Sequence, residues 1–84
     1  MKQLTYMTRG TCSKSIDITL DDSNIVTSVS FVGGCNGNLQ GISKLVTGMK
    51  AEDAIEKLEG IRCGYKSTSC PDQLAQALKQ MTAD

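Results

Sequence analysis

The spacing of the apolar residues changes character once along this chain, at Gly33-Gly34, and that change constrains the fold more than any other feature. Before it, Ile16, Ile18 and Leu20 alternate with polar Asp17 and Thr19, the period of two that marks a strand with one buried face. Residues 4–8 are rich in β-forming side chains, and Ile25, Thr27, Val29 and Phe31 fall on one face of a third strand. Asp21-Asp22-Ser23-Asn24 reads as a turn. Connections this short join antiparallel neighbours, which gives a three-stranded meander. After the two glycines the spacing becomes helical. Leu39, Ile42, Leu45 and Val46 define a first helix, capped by Asn36 or Asn38 and ended at Gly48. Residues 51–58 form a second, with Glu52 and Asp53 in its first turn, where the helix dipole favours negative charge, and Gly60 as its stop. The third spans residues 71–81 and buries Leu74, Ala77, Leu78 and Met81. Strands first and helices after is an α+β order, with helices packed on one face of an antiparallel sheet.

The chain reads as a single domain over residues 1–84, without linker, repeat or low-complexity tract. Nine basic and nine acidic side chains cancel, so the basic footprint of a nucleic-acid binder is missing. No apolar run approaches the roughly 18 residues that span a membrane. The N-terminal MKQLTYMTRG lacks the apolar core of a signal peptide. These features point to the cytoplasm, where thiols are kept reduced, so Cys12, Cys35, Cys63 and Cys70 are not expected to form a disulfide framework. There is no histidine. A metal site would therefore rest on thiolates, and a Cys–His nucleophile is excluded. With only three aromatic residues, a core this small gains from any bound metal.

The cysteines fall at the ends of elements. Cys12 lies in the turn between the first two strands, Cys35 follows Gly33-Gly34, Cys63 follows the second helix, and Cys70 starts the third. Structural cysteines more often occupy core faces. Cys70 has two possible settings: as N-cap with Pro71 at the first helical position, or one residue inside an N-cap at Ser69, with Asp72 completing a capping-box variant. Either places the thiol at the positive end of a helix, which enriches its thiolate, and Lys14, Arg62 and Lys66 are charged neighbours in sequence that could lower the thiol pKa values further. No Cys-x-x-Cys pair occurs. Several readings stand side by side. Cys12, Cys35 and Cys70, with or without Cys63, form a metal site; Cys63 and Cys70 form a redox pair; or the cysteines are scattered packing residues, Cys63 a small buried hydrophobe among them. Tyr65 reads as a packing residue, and no glycine-rich phosphate loop is present.

Thr68-Ser69-Cys70-Pro71-Asp72 spells the signature of the TSCPD domain family, and Gly33-Gly34-Cys35-Asn36-Gly37-Asn38-Leu39, the Leu45-Val46-Thr47-Gly48 run and Cys63-Gly64-Tyr65 are similar to that family too. The resemblance covers nearly the whole chain. Such domains occur alone and at the end of some ribonucleotide reductases, notably cobalamin-dependent ones. The resemblance thus implies an accessory or interaction domain whose partner is a ribonucleotide reductase or another protein. A chain of 84 residues is too short to be a reductase itself. The order of elements also resembles NifU-type iron–sulfur scaffold proteins, in which three cysteines occupy the positions of Cys12, Cys35 and Cys70. The stretch from Leu45 to Ala54 is similar to the scaffold's second helix start. That likeness implies Zn²⁺ or an iron–sulfur cluster held by these three, with Cys63 as fourth ligand. Two positions depart from it: the scaffold's aspartate two residues after its first cysteine is Lys14 here, and the histidine before its third cysteine is Ser69. The lysine removes a ligand and adds a positive charge, so cluster transfer does not follow.

Overall fold

The computed structural model describes residues 1–34 and 36–83, with the backbone alone at Asn36. Three strands, β1 (Lys2–Met7), β2 (Ser13–Leu20) and β3 (Val26–Gly33), precede three helices, α1 (Asn36–Val46), α2 (Ala51–Leu58) and α3 (Cys70–Thr82). The strands form one antiparallel sheet in the order β1-β2-β3, as the alternation predicts. Ile16, Ile18 and Leu20 of β2 are all but fully buried, while Asp17 between them is exposed and accepts a hydrogen bond from the Thr5 hydroxyl at 2.6 Å. One face of the sheet is therefore apolar and carries the helices, and the other is polar.

Thr27 departs from the expected face. Leu20 pairs with Val26 and Thr19 with Ser28, so Thr27 is an extra residue on β3. Such a bulge resets the alternation by one position. Val26 is fully buried, Thr27 is exposed with its hydroxyl donating to the Thr19 carbonyl at 3.1 Å, and Val29 and Phe31 return to the apolar face. Ile25 stands outside the strand and bridges to Lys50. The segment between α1 and α2 is tied to the start of β3 by the Gly48 N–H on the Val26 carbonyl, at 2.7 Å, and the Val26 N–H on the Met49 carbonyl, at 2.8 Å. Periodicity gives no hint of this tie.

The core unites β2 and Val26 with Val46 of α1, Ala51 and Ala54 of α2, and Leu74, Ala77 and Leu78 of α3; Met81 packs at its margin, half-buried. Alanines on α2 and α3 let those helices lie close together, and Lys79 pairs with Glu59 across them. Asn36 and Asn38 both lie within α1, so neither is its cap; Cys35, the residue before it, is outside the described residues. Among the described residues no helix is long and apolar enough to cross a membrane.

Candidate thiol site

Cys70 owes its position to the way α3 begins. Ser69 is the N-cap, in extended conformation (φ −150°, ψ 171°), and its hydroxyl accepts the Asp72 N–H at 3.1 Å. Cys70 and Pro71 then occupy the first two helical positions, where a free N–H is lost without cost at the proline. Of the two settings read from the sequence, the Ser69 cap is the one formed. Asp72 sits at the capping-box position but its carboxylate turns elsewhere: it accepts the Gly60 N–H at 2.7 Å, the Thr68 hydroxyl, and Gln76 at 3.4 Å. It thus latches the end of α2 to the start of α3. Burial pushes this carboxyl up, but those hydrogen bonds and the Lys79 charge outweigh it and hold the group below the ordinary carboxylate range.

Cys12 arrives from the turn between β1 and β2. The Thr8 hydroxyl donates to the Ser13 carbonyl at 2.5 Å, and the Thr11 hydroxyl reaches the same carbonyl at 3.3 Å. Gln73 fastens this turn to α3. Its side-chain carbonyl accepts the Arg9 N–H at 3.1 Å and its amide donates to the Thr68 hydroxyl at 3.0 Å. Gly34 lets the strand exit pass against the turn. At φ +83°, a Cβ there would come within 2.8 Å of the Leu39 side chain and 3.3 Å of Cys12 Sγ, so the position requires glycine.

The outcome is a close thiol pair. Cys12 Sγ lies 4.0 Å from Cys70 Sγ, and Ser13 Oγ lies 3.1 Å from Cys70 Sγ. Cys12 is exposed, whereas Cys70 is 7% exposed. Burial pushes the Cys70 thiol up, but hydrogen bonds from Ser13, Thr11 and Cys12 overcome it and leave the thiol below its ordinary value. The groups that lower it are these hydrogen-bonding neighbours, not Lys14, Arg62 or Lys66 as the sequence suggests.

The three described cysteines therefore separate. Cys12 and Cys70 are brought together. Cys63 lies in the loop between α2 and α3, which folds on itself through the Cys63 N–H to Thr68 carbonyl bond at 3.2 Å and the Lys66 N–H to Cys63 carbonyl bond at 3.1 Å. It is exposed, not the small buried hydrophobe that is one reading of the sequence. It lines the same groove as the pair but hydrogen-bonds to neither thiol. Tyr65, in that loop, is fully exposed rather than packed. Cys35 falls outside the described residues. Among the described residues no three of His, Cys, Asp and Glu gather closely enough to hold a metal ion. Ser13 and Gln73 are site residues that the sequence reading misses. Their signal is adjacency alone, since one follows Cys12 and the other follows the Thr-Ser-Cys-Pro-Asp run.

No curated protein and no solved structure matches the chain. The sequence model of the TSCPD domain matches residues 2–82, nearly the whole molecule, and its eponymous residues are the ones that cap α3, latch it to α2 and present the buried thiol; the chain belongs to the TSCPD domain family.

Proposed function

We propose that this domain binds a thiophilic metal, Zn²⁺ or an iron–sulfur cluster, with Cys12 and Cys70 as the nucleus of the site. The observation that carries the reading is the 4.0 Å sulfur separation. Two thiolates bound tetrahedrally to one zinc at about 2.3 Å stand roughly 3.8 Å apart, so the pair needs almost no movement to share an ion. The hydrogen bonds from Ser13 and Thr11 favour the ionised sulfur that a metal requires. Histidine-free thiolate sites suit zinc and iron–sulfur chemistry over harder cations.

Two thiolates are half of such a site. Cys35 is the natural third ligand, because it directly follows Gly34, where an added Cβ would stand 3.3 Å from Cys12 Sγ. Cys63 is the fourth, carried by a loop that borders the same groove. The likeness to NifU-type scaffolds supports the choice of Cys12, Cys35 and Cys70. Lys14 on β2 speaks against a labile transfer site of that type. Such a domain would serve in the cytoplasm as an accessory to a larger protein, for which a ribonucleotide reductase is the partner that the family's occurrence suggests.

The test is anaerobic purification in reductant, metal analysis, and thiol titration before and after reconstitution with Zn²⁺ or with iron and sulfide. The expected result is one ion or cluster per chain, lost in Cys12→Ser, Cys35→Ser and Cys70→Ser. Four freely titrating thiols with no uptake on reconstitution would sink the reading.

A further inference from the structure

A groove of about 470 Å³ opens beside the thiol pair, and its walls are unusual for this protein. Charged residues make up 21% of the chain, yet among the described residues none lines the groove. Leu39, Ile42 and Leu45 of α1 and Pro71 of α3 line it. Leu45 is 78% exposed and adds its side chain to the apolar lining of the groove. Gly37 and Gly41 leave the α1 backbone bare along the groove, with open space where a side chain would stand. Cys12 sits on the wall, exposed, with Cys70 behind it.

We propose that this groove docks an extended, uncharged, apolar segment of another protein that carries a cysteine in disulfide linkage, and that Cys12 and Cys70 reduce that disulfide. The division of labour follows from exposure. Cys12 Sγ is the sulfur an incoming chain meets; it attacks one sulfur of the disulfide, forms a bond to it, and releases the other as a thiolate that takes up a proton. Cys70 Sγ, 4.0 Å away, then attacks Cys12 Sγ. The Cys12–Cys70 bond forms and the segment leaves as its second free thiol. Two electrons pass from the pair to the partner, and the two thiol protons end on the two released sulfurs. Closure needs about 2 Å of sulfur movement to reach disulfide length. The pair that cycles is thus Cys12 with Cys70, whereas sequence proximity suggests Cys63 with Cys70. The uncharged walls identify the occupant: a charged segment would lose its hydration there and find no counter-charge.

This inference uses the same two thiols as the metal reading, but in the metal-free, reduced protein, so it is tested there, under chelator, while metal uptake is measured separately. The probes are two short peptides, one with leucines and one with aspartates flanking a single cysteine, each activated as its mixed disulfide with thionitrobenzoate; neutral 2-hydroxyethyl disulfide serves as the reference reagent. The expected result is that the leucine peptide reacts about tenfold faster than the aspartate peptide, relative to the reference. In Leu45→Glu that ratio falls by about the same factor. Mass spectrometry should show wild type ending as the Cys12–Cys70 disulfide with peptide released, and Cys70→Ser stopping with peptide on Cys12. Equal rates for the two peptides, an unchanged ratio in Leu45→Glu, or peptide retained on wild type or captured by Cys63 would overturn it.

Discussion

Cys70 and Ser13 meet across 57 positions of sequence, and the side chains that bring them together are small and polar. The Ser13 hydroxyl is the nearest partner of the Cys70 sulfur, so Ser13→Ala should raise the Cys70 pKa toward the ordinary thiol value. Following alkylation by iodoacetamide against pH would show this as a shift of the reactivity curve to higher pH, and an unmoved curve would place the effect elsewhere. Gly34 is the second sensitive residue. Gly34→Ala combines a left-handed backbone with a Cβ driven into Leu39, and should cost about 1–3 kcal/mol in a denaturant melt. Of these residues the sequence displays the cysteines and the glycine plainly. It hides Ser13 and Gln73, because nothing in a lone serine or glutamine tells which of the chain's many polar groups will be buried against sulfur. It also sets Cys63 beside Cys70 in the same short stretch, while the fold gives Cys70 a partner from the far end of the chain.

The start of α3 is where local sequence and tertiary contact agree most closely. Ser69 caps the helix by purely local geometry, whereas the Asp72 carboxylate makes a long-range bond to Gly60. Its native pKa is depressed. A carboxylate of that kind binds fewer protons folded than unfolded, so its stabilisation is complete above the unfolded value of about 3.9 and is lost as pH falls through the native value. Asp72→Asn should therefore lower stability by about 1–2 kcal/mol at pH 7. The gap to wild type should narrow below about pH 4. Urea melts at the two pH values decide it, and an equal deficit at both would mean the carboxylate's charge plays no part. Element identity and order were readable here because each helix carries an apolar stripe, α1 and α2 are each followed by a glycine, and α3 opens on its own cap. The register of β3 was not, because the extra residue at Thr27 leaves hydroxyl and aliphatic residues in an order that fits either phase.

At the scale of the molecule, ten buried residues among those described, from every element except β1, make one core, and there is little to spare. Leu78, fully buried on α3, should cost about 2–5 kcal/mol when cut to alanine. Domains of this size have a total stability of the order of 5–10 kcal/mol, so Leu78→Ala should melt many degrees lower by circular dichroism; a change of only a degree or two would mean the α3–sheet contact is looser than described. The motif at the head of α3 has a further consequence. Thr68, Ser69, Pro71 and Asp72 are joinery, and Cys70 is the residue of the run whose side chain faces another thiol. A relative that kept the four and replaced the cysteine would keep the cap and the latch. Kinship by this motif certifies a shape, and the thiol pair itself has to be read from one letter in the middle of it and from a cysteine at the position of Cys12.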